Sequence, residues 1–312
     1  MKTRAFKQVD VFTDQCYFGN PLAVVLDGIG LTDAAMQRFA SWTNLSETTF
    51  LLPPTDASAD YRVRIFTPDR ELNFAGHPTL GSCHSWLQAG GQPHSKNVVV
   101  QECKVGLVKI RRHEMGAGRQ RQAFAAPQLT RSAISPALLA QVAAALGLTA
   151  GQITAAQNLN NGVVWLGLLL ESPETVLQIT PNYLALGKLD VHVGVVGVYL
   201  ADAQSALISR ASLEARAFGG TGPDTVVSVF KPDVEVRGFV GSTRGYEDPV
   251  TGSLNASLAQ WLIEDGHVPE RYLASQGVCL GRAGQVYIER DAEGQVWVGG
   301  ETVTCIDGSV TL

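Results

Sequence analysis

Two stretches of this 312-residue chain, roughly 175 residues apart, run through the same series of features. Such self-similarity restricts the fold to one built from two like halves. Tyr61-Arg-Val-Arg-Ile-Phe66 and Val234-Glu-Val-Arg-Gly-Phe239 share the pattern Val-Arg-x-Phe. Each leads into a Pro/Gly loop. One loop ends in Gly76-His-Pro-Thr79, the other in Asp248-Pro-Val-Thr-Gly-Ser253. Each then enters an apolar-periodic helix containing Trp-Leu (Trp86-Leu87, Trp261-Leu262), closed by Gly90 or Gly266.

The second of these helix starts is the more explicit. Pro249 disfavours helix for the residue before it, which holds Asp248 extended. Thr251, Gly252 and Ser253 then occupy the first turn, where backbone N–H groups lack intrahelical partners and the dipole is positive. Alone this is a capped helix after a loop. Repeated, it gives two helix N-termini that can face each other across a cleft and receive a carboxylate from both sides.

The remaining elements read as follows. Strands are expected at residues 5–12, 22–26, 61–67, 163–170, 193–200, 226–230 and 234–240, with a hairpin at 98–100 and 105–111. Residues 44–52 are β-prone after a polar corner. The tail carries three β-type runs, 285–290, 296–299 and 301–306, separated by Gly-Asp turns. Helices are expected at 32–43, with Met36, Phe39, Ala40 and Trp42 apolar, and at 80–89, 136–146 and around Asn182. Strands and helices interleave, but most strand links look like short hairpins. That predicts an α+β fold with largely antiparallel sheets rather than a doubly wound parallel one. Gly116-Ala-Gly118 and Ala125-Ala-Pro127 mark the crossover between domains.

Several functions are disfavoured. The net charge is −5 and no basic cluster exceeds Lys109-Ile-Arg-Arg112, which argues against nucleic acid. The N-terminus lacks a signal-peptide apolar stretch, and the longest apolar run, residues 162–170, is too short to span a bilayer. Five cysteines without CxxC spacing fit reduced thiols in a cytoplasmic protein. His77, Cys83 and His84 lack metal-ligand spacing, so no metal is expected. Gly219-Gly-Thr-Gly222 lacks the strand–turn–helix context of a nucleotide loop and reads as a connection.

The sequence resembles the phenazine-biosynthesis PhzF-like isomerases. The residues that carry the likeness are Phe18-Gly-Asn-Pro21, Leu45-Ser-Glu-Thr-Thr-Phe50, Phe74-Ala-Gly-His-Pro-Thr-Leu-Gly81, Glu247-Asp-Pro-Val-Thr-Gly-Ser253 and Gln276-Gly…Gly281-Arg. They come in the family's order over nearly the whole chain. The resemblance implies a diaminopimelate-epimerase-like fold of two pseudo-symmetric lobes, each a mostly antiparallel β-sheet wrapped around a central helix. The first lobe would be residues 1–120, joined by a returning strand at 300–312, and the second residues 121–299. It also implies a homodimer and cofactor-free isomerisation of a small carboxylate-bearing substrate between the lobes. Carried over, Glu47 is the catalytic acid/base, with His77 and Asp248 as its polar partners. Gly76, Thr79, Thr251, Gly252 and Ser253 bind substrate. The segments 218–223 and 241–246 do not align closely with the family, which bears on the substrate.

Each site residue also has an ordinary reading. Glu47 is either a solvated strand residue or a buried base with a raised pKa. His77 is either a helix cap or a hydrogen-bond partner at the site. Asp248 is either a turn residue or a site residue that binds a substrate amino group or shares protons with His77, with adjacent Glu247 adding negative charge that helps keep one carboxyl protonated. Racemases of this fold pair two thiols at the helix starts. Here neither start holds a cysteine, which disfavours that chemistry. Elimination or epimerisation by the same base, and ligand binding without turnover, are the alternatives.

Overall fold

The structure is a computed structural model in which residues 1–116, 119–199, 231–241 and 245–312 are described. The expected strand at 226–230, the segments 218–223 and 219–222, and residues 242–244 lie outside these.

In the first half the order is β1 (Thr3–Val11), β2 (Asn20–Val25), α1 (Asp33–Thr43), β3 (Glu47–Leu52), β4 (Tyr61–Phe66), β5 (Glu71–Leu72), α2 (Gly76–Gln88), β6 (Val98–Cys103), β7 (Gly106–Gly116) and β8 (Arg119–Ala125). The second half runs β9 (Thr130–Ser132), α3 (Pro136–Leu146), β10 (Ile153–Asn160), β11 (Val164–Leu170), α4 (Pro173–Gln178), α5 (Tyr183–Leu189), β12 (His192–Val198), β13 (Val234–Val240), β14 (Tyr246–Asp248), α6 (Gly252–Glu264), β15 (Arg271–Gln276), β16 (Gly284–Arg290) and β17 (Val296–Thr311).

The pairing pattern repeats. β1–β2, β3–β4, β4–β5, β6–β7 and β7–β8 are antiparallel, and β2–β3 and β4–β6 parallel. Their counterparts β10–β11, β12–β13, β13–β14, β15–β16 and β16–β17 are antiparallel, and β11–β12 and β13–β15 parallel. β17 returns along β1 as β9 runs along β10. β8 pairs with β17, so the junction of the halves is itself an antiparallel pair. Antiparallel pairs thus predominate, as the hairpin-like links imply. Two parallel pairs in each half are bridged by helices, as parallel neighbours require.

The strands of the first half close into a ring through β17, and α2 packs against β1, β2, β3, β6, β8 and β17. α6 sits likewise against β10, β11, β16 and β17. Both helices are buried nearly all round because sheet surrounds them. One core holds Leu80 and Cys83 of α2 with Leu254, Leu258 and Trp261 of α6. Separate outer cores lie under α1 (Met36, Phe39, Phe50) and under α3–α5 (Leu146, Leu168, Leu186, Phe239). Strands such as β11 are therefore buried on both faces and read as continuous apolar runs.

Other expectations also change. The runs 296–299 and 301–306 form one strand, β17. Gly299 and Gly300 are close-contact residues rather than a turn: a Cβ on Gly299 would lie 2.9 Å from Ala123 Cβ, and one on Gly300 2.5 Å from a Phe12 ring carbon. Trp42 of α1 is exposed instead of core-facing. β8, β10 and β15 carry too few apolar residues for periodicity to find. Among the described residues, no helix is long and apolar enough to cross a membrane.

Candidate active site

The two central helix starts touch. A Cβ built on Gly76 would lie 3.0 Å from Gly252 Cα, and one on Gly252 3.0 Å from Gly76 Cα and 3.1 Å from His77 N. Only glycine permits this approach. Neither helix has a side-chain cap: Ala75 precedes α2 and Thr251 precedes α6 without such a bond. By contrast α1, α3, α4 and α5 are capped by Thr32, Ser135, Ser172 and Asn182. The positive ends of the two central helices thus converge on one place, open to an anion.

Glu47 begins β3. Strand alternation sends it to the same face as Thr49 and Leu51, toward α2; Thr49 accepts a hydrogen bond from Ser82 of that helix at 2.9 Å. Its side chain keeps 15% exposure, yet Oε2 is fully occluded and has no hydrogen-bond partner. His77 Nε2 lies 3.3 Å away and is likewise buried without an aligned bond. Other buried side-chain atoms also lack partners, among them Arg62 Nε and Ser257 Oγ; what sets these two apart is that they face each other beside both helix starts. Burial, then the charge of Asp248, pushes the Glu47 carboxyl up to about 8. Burial pushes His77 down to about 3, so its imidazole is neutral near pH 7.

Asp248 ends β14 and is enclosed by donors. Its Oδ1 accepts from Asn20 Nδ2 at 2.9 Å and its Oδ2 from Thr251 Oγ1 at 2.6 Å. Burial raises it to about 6, against the lowering effect of those bonds. Gln276 braces the same turn. Its Nε2 donates to Asp248 O at 3.0 Å and Thr251 Oγ1 at 2.9 Å; its Oε1 accepts from Thr251 N at 3.0 Å and Asn255 Nδ2 at 2.8 Å. Glu247 points the other way along the strand and makes a two-pronged buried pair with Arg237 at 3.0 and 2.8 Å. The guanidinium offsets part of that charge, yet Glu247 still helps raise the Asp248 carboxyl, as expected of added local charge.

Ser253, in the first turn of α6, accepts from Trp165 Nε1 at 3.2 Å, and its carbonyl accepts from Asn161 Nδ2 at 2.9 Å. With the indole donating to Oγ, the serine hydrogen is free to turn elsewhere. Thr79 is placed differently. It is fully buried, its hydroxyl donates to Ala75 O at 2.9 Å and accepts from Gln101 at 3.0 Å, and so is committed inside the first half.

The structure thus brings Glu47, Gly76, His77, Asp248, Thr251, Gly252 and Ser253 around one junction. Asn20, Gln276, Asn255, Trp165 and Asn161 join them, unassigned by the sequence reading. Asn20 and Gln276 sit in motifs noted there, but side chains that act on other side chains leave no periodic signal. Two surface hollows, of about 800 and 460 Å³, lie elsewhere, near Gln88 and Arg112 and near Trp42 and Ile306. Contact between the two helix starts leaves little room between them.

Comparison with known proteins points the same way. The sequence model of the PhzC-PhzF family, described as phenazine biosynthesis-like protein, matches residues 9–308. The chain is 32% identical to antisense-enhancing sequence 1 of Schizosaccharomyces pombe, over 99% of both chains. It is 29% identical to the trans-2,3-dihydro-3-hydroxyanthranilate isomerase of Pseudomonas aeruginosa, over 92% of this chain and 90% of that one. The crystal structure of a PhzF-family phenazine biosynthesis protein from Bacillus anthracis superposes with a TM-score of 0.78 at 20% identity, covering both chains fully.

Proposed function

The chain belongs to the phenazine biosynthesis-like, PhzC-PhzF family of isomerases, and on that premise we propose that it moves a proton between carbons of a small carboxylate-bearing substrate without a cofactor. In this reading the halves are the two lobes of a diaminopimelate-epimerase-like fold, and the reaction takes place where α2 and α6 begin. The observation that carries it is the Glu47–His77 pair, buried, unbonded and set beside two uncapped helix starts.

The lobes part to admit substrate and close on it. The N–H groups at Gly76/His77 and Gly252/Ser253, with the Ser253 hydroxyl, hold the carboxylate from both sides. Glu47, as carboxylate, removes a proton from a carbon conjugated to that group. The released electron pair spreads into the conjugated system, stabilised by the two helix ends. Glu47, its proton open to exchange with solvent, then delivers a proton to another carbon, and the composition of the molecule is unchanged. A carboxyl at about 8 is a far stronger base once ionised than an ordinary glutamate, and it is still half-neutral at that pH to serve as the acid. Neutral His77 steadies the carboxyl without trapping it as an ion pair.

The first substrate to try is the compound in the Pseudomonas relative's name, trans-2,3-dihydro-3-hydroxyanthranilate. The reaction is run in deuterated water with wild type and Glu47→Gln. Deuterium at carbon with wild type only supports the reading. Equal exchange by Glu47→Gln sinks it, and a bound ligand recovered unchanged and unexchanged favours a binding protein.

A further inference from the structure

Two carboxyl groups, Glu47 and Asp248, share this junction, and their hydrogen-bond surroundings are opposite. Asn20 bonds to Asp248 from the strand beside that of Glu47. It is fully buried and opens β2, whose parallel neighbour β3 opens with Glu47; the register places Leu22 opposite Glu47. From there its amide reaches across to the second half. One Nδ2 hydrogen goes to Asp248 Oδ1 and the other to Val250 O, each at 2.9 Å. Thr251 completes the enclosure. Its Oγ1 accepts from Gln276 Nε2, so its only hydrogen must go to Asp248 Oδ2. Gln276 in turn has both Nε2 hydrogens committed, to Thr251 Oγ1 and Asp248 O.

Both Asp248 oxygens thus face donors with no freedom to become acceptors. Each donor bond made to the carboxylate favours its ionised form, and Ser46 adds to them. Glu47 Oε2 meets no donor and faces only His77 Nε2 at 3.3 Å. The other charged or titratable groups near the pair do not reverse this. Glu247, on the strand of Asp248, is paired with Arg237 and still pushes the Asp248 carboxyl up, by less than either the Thr251 or the Asn20 bond lowers it; Tyr246 lies within electrostatic reach of both carboxyls; His77 from α2 carries no charge. We propose that Asn20, with Thr251 and Gln276 behind it, is a positioning residue that keeps Asp248 as the charged member of the pair and leaves the exchangeable proton on Glu47. The amide does this from the opposite half of the chain, so the assignment exists only while the two halves are docked.

The proposal rests on the reading of Glu47 as the proton carrier, but its test needs no substrate. Side-chain carboxyl carbons of uniformly ¹³C-labelled, ligand-free protein are titrated by NMR, with Glu47→Gln and Asp248→Asn identifying the two signals. In wild type the Asp248 carbon should titrate first and the Glu47 carbon last. Asn20→Ser, which removes the reaching amide, and Thr251→Val, which removes the hydroxyl at nearly equal volume, should each bring the two midpoints closer by about one pH unit or more. Thr251→Ser should restore the wild-type separation. A wild-type Asp248 that titrates above Glu47, or midpoints unmoved in both Asn20→Ser and Thr251→Val, overturns the proposal. Should Asn20→Ser fail to fold, Thr251→Val and its serine rescue decide alone. A cage that behaves as stated while Glu47→Gln keeps turning over substrate would refute the catalytic reading and leave the cage standing.

Discussion

Glu47 sits where a strand residue is normally either solvated or apolar, and its pKa has consequences for both rate and stability. With Glu47 as the base, kcat/KM of the free enzyme should rise about tenfold per pH unit toward about 8 and level off above it. His77, neutral down to about pH 3, adds no second limb in that range. A profile flat from pH 6 to 9 would remove Glu47 from the role. The stability effect has the opposite sign. Glu47 titrates at about 4.5 when unfolded and about 8 when folded, so the folded chain holds the extra proton between those values. That contribution is fully present below 4.5 and is lost as pH rises through 8. Glu47→Gln, which cannot ionise, should therefore gain roughly 2–4 kcal/mol over wild type between pH 5 and pH 9 in urea unfolding. That Glu47 lies on a strand was legible from the β-prone run 44–52. Its lack of a donor was not, because that depends on what α2 and β14 place nearby.

At the scale of elements, α2 and α6 are opposed through bare backbone. Gly252→Ala or Gly76→Ala would force the helix starts apart or push Phe124 aside, since the new methyl on Gly76 would lie 2.7 Å from Phe124 Cζ. Each should cost about 1–3 kcal/mol in denaturant unfolding and weaken carboxylate binding by about tenfold. Gly151→Ala, whose methyl would meet nothing within 4 Å, should stay within about 0.5 kcal/mol and serves as the control. Trp165→Phe keeps most of the packing but loses the indole donor to Ser253, and should raise KM for a carboxylate substrate more than it lowers kcat. Helices were legible through their caps and periodicity: α1 and α3 fall at the expected residues. β8, β10 and β15 were not, because polar strands in a ring earn their place by backbone pairing rather than by an apolar face.

At the scale of the whole molecule, the last strand holds the first half closed. Thr302–Thr311 run antiparallel to Val11–Thr3, and the preceding residues of β17 pair with β8 and β16. Ending the chain after Glu301 would leave β1 an open edge on one side and break the ring around α2. Such a chain should accumulate as aggregate or exchange the amides of β1 freely, by hydrogen-exchange mass spectrometry; wild-type protection in β1 would show that the ring does not need closing. The same connectivity means that each half contains a part of the other's boundary, so separate expression of the halves should give no native-like protein.

What the amino-acid sequence determined alone was the duplication, the two glycine-marked helix starts and the identity of the residues at them. These are local signals, written in spacing, proline and glycine, and they survive reading one segment at a time. What the tertiary structure decided was that the two starts touch, that Thr79 turns inward, that Glu247 pairs with Arg237, and that Asp248 rather than Glu47 is enclosed by donors. Each of these depends on burial and on partners distant in sequence: Asn20 and Asp248 meet across 228 positions, through a single amide. The energy of a buried charge is set by every group around it, and no stretch of sequence contains that neighbourhood.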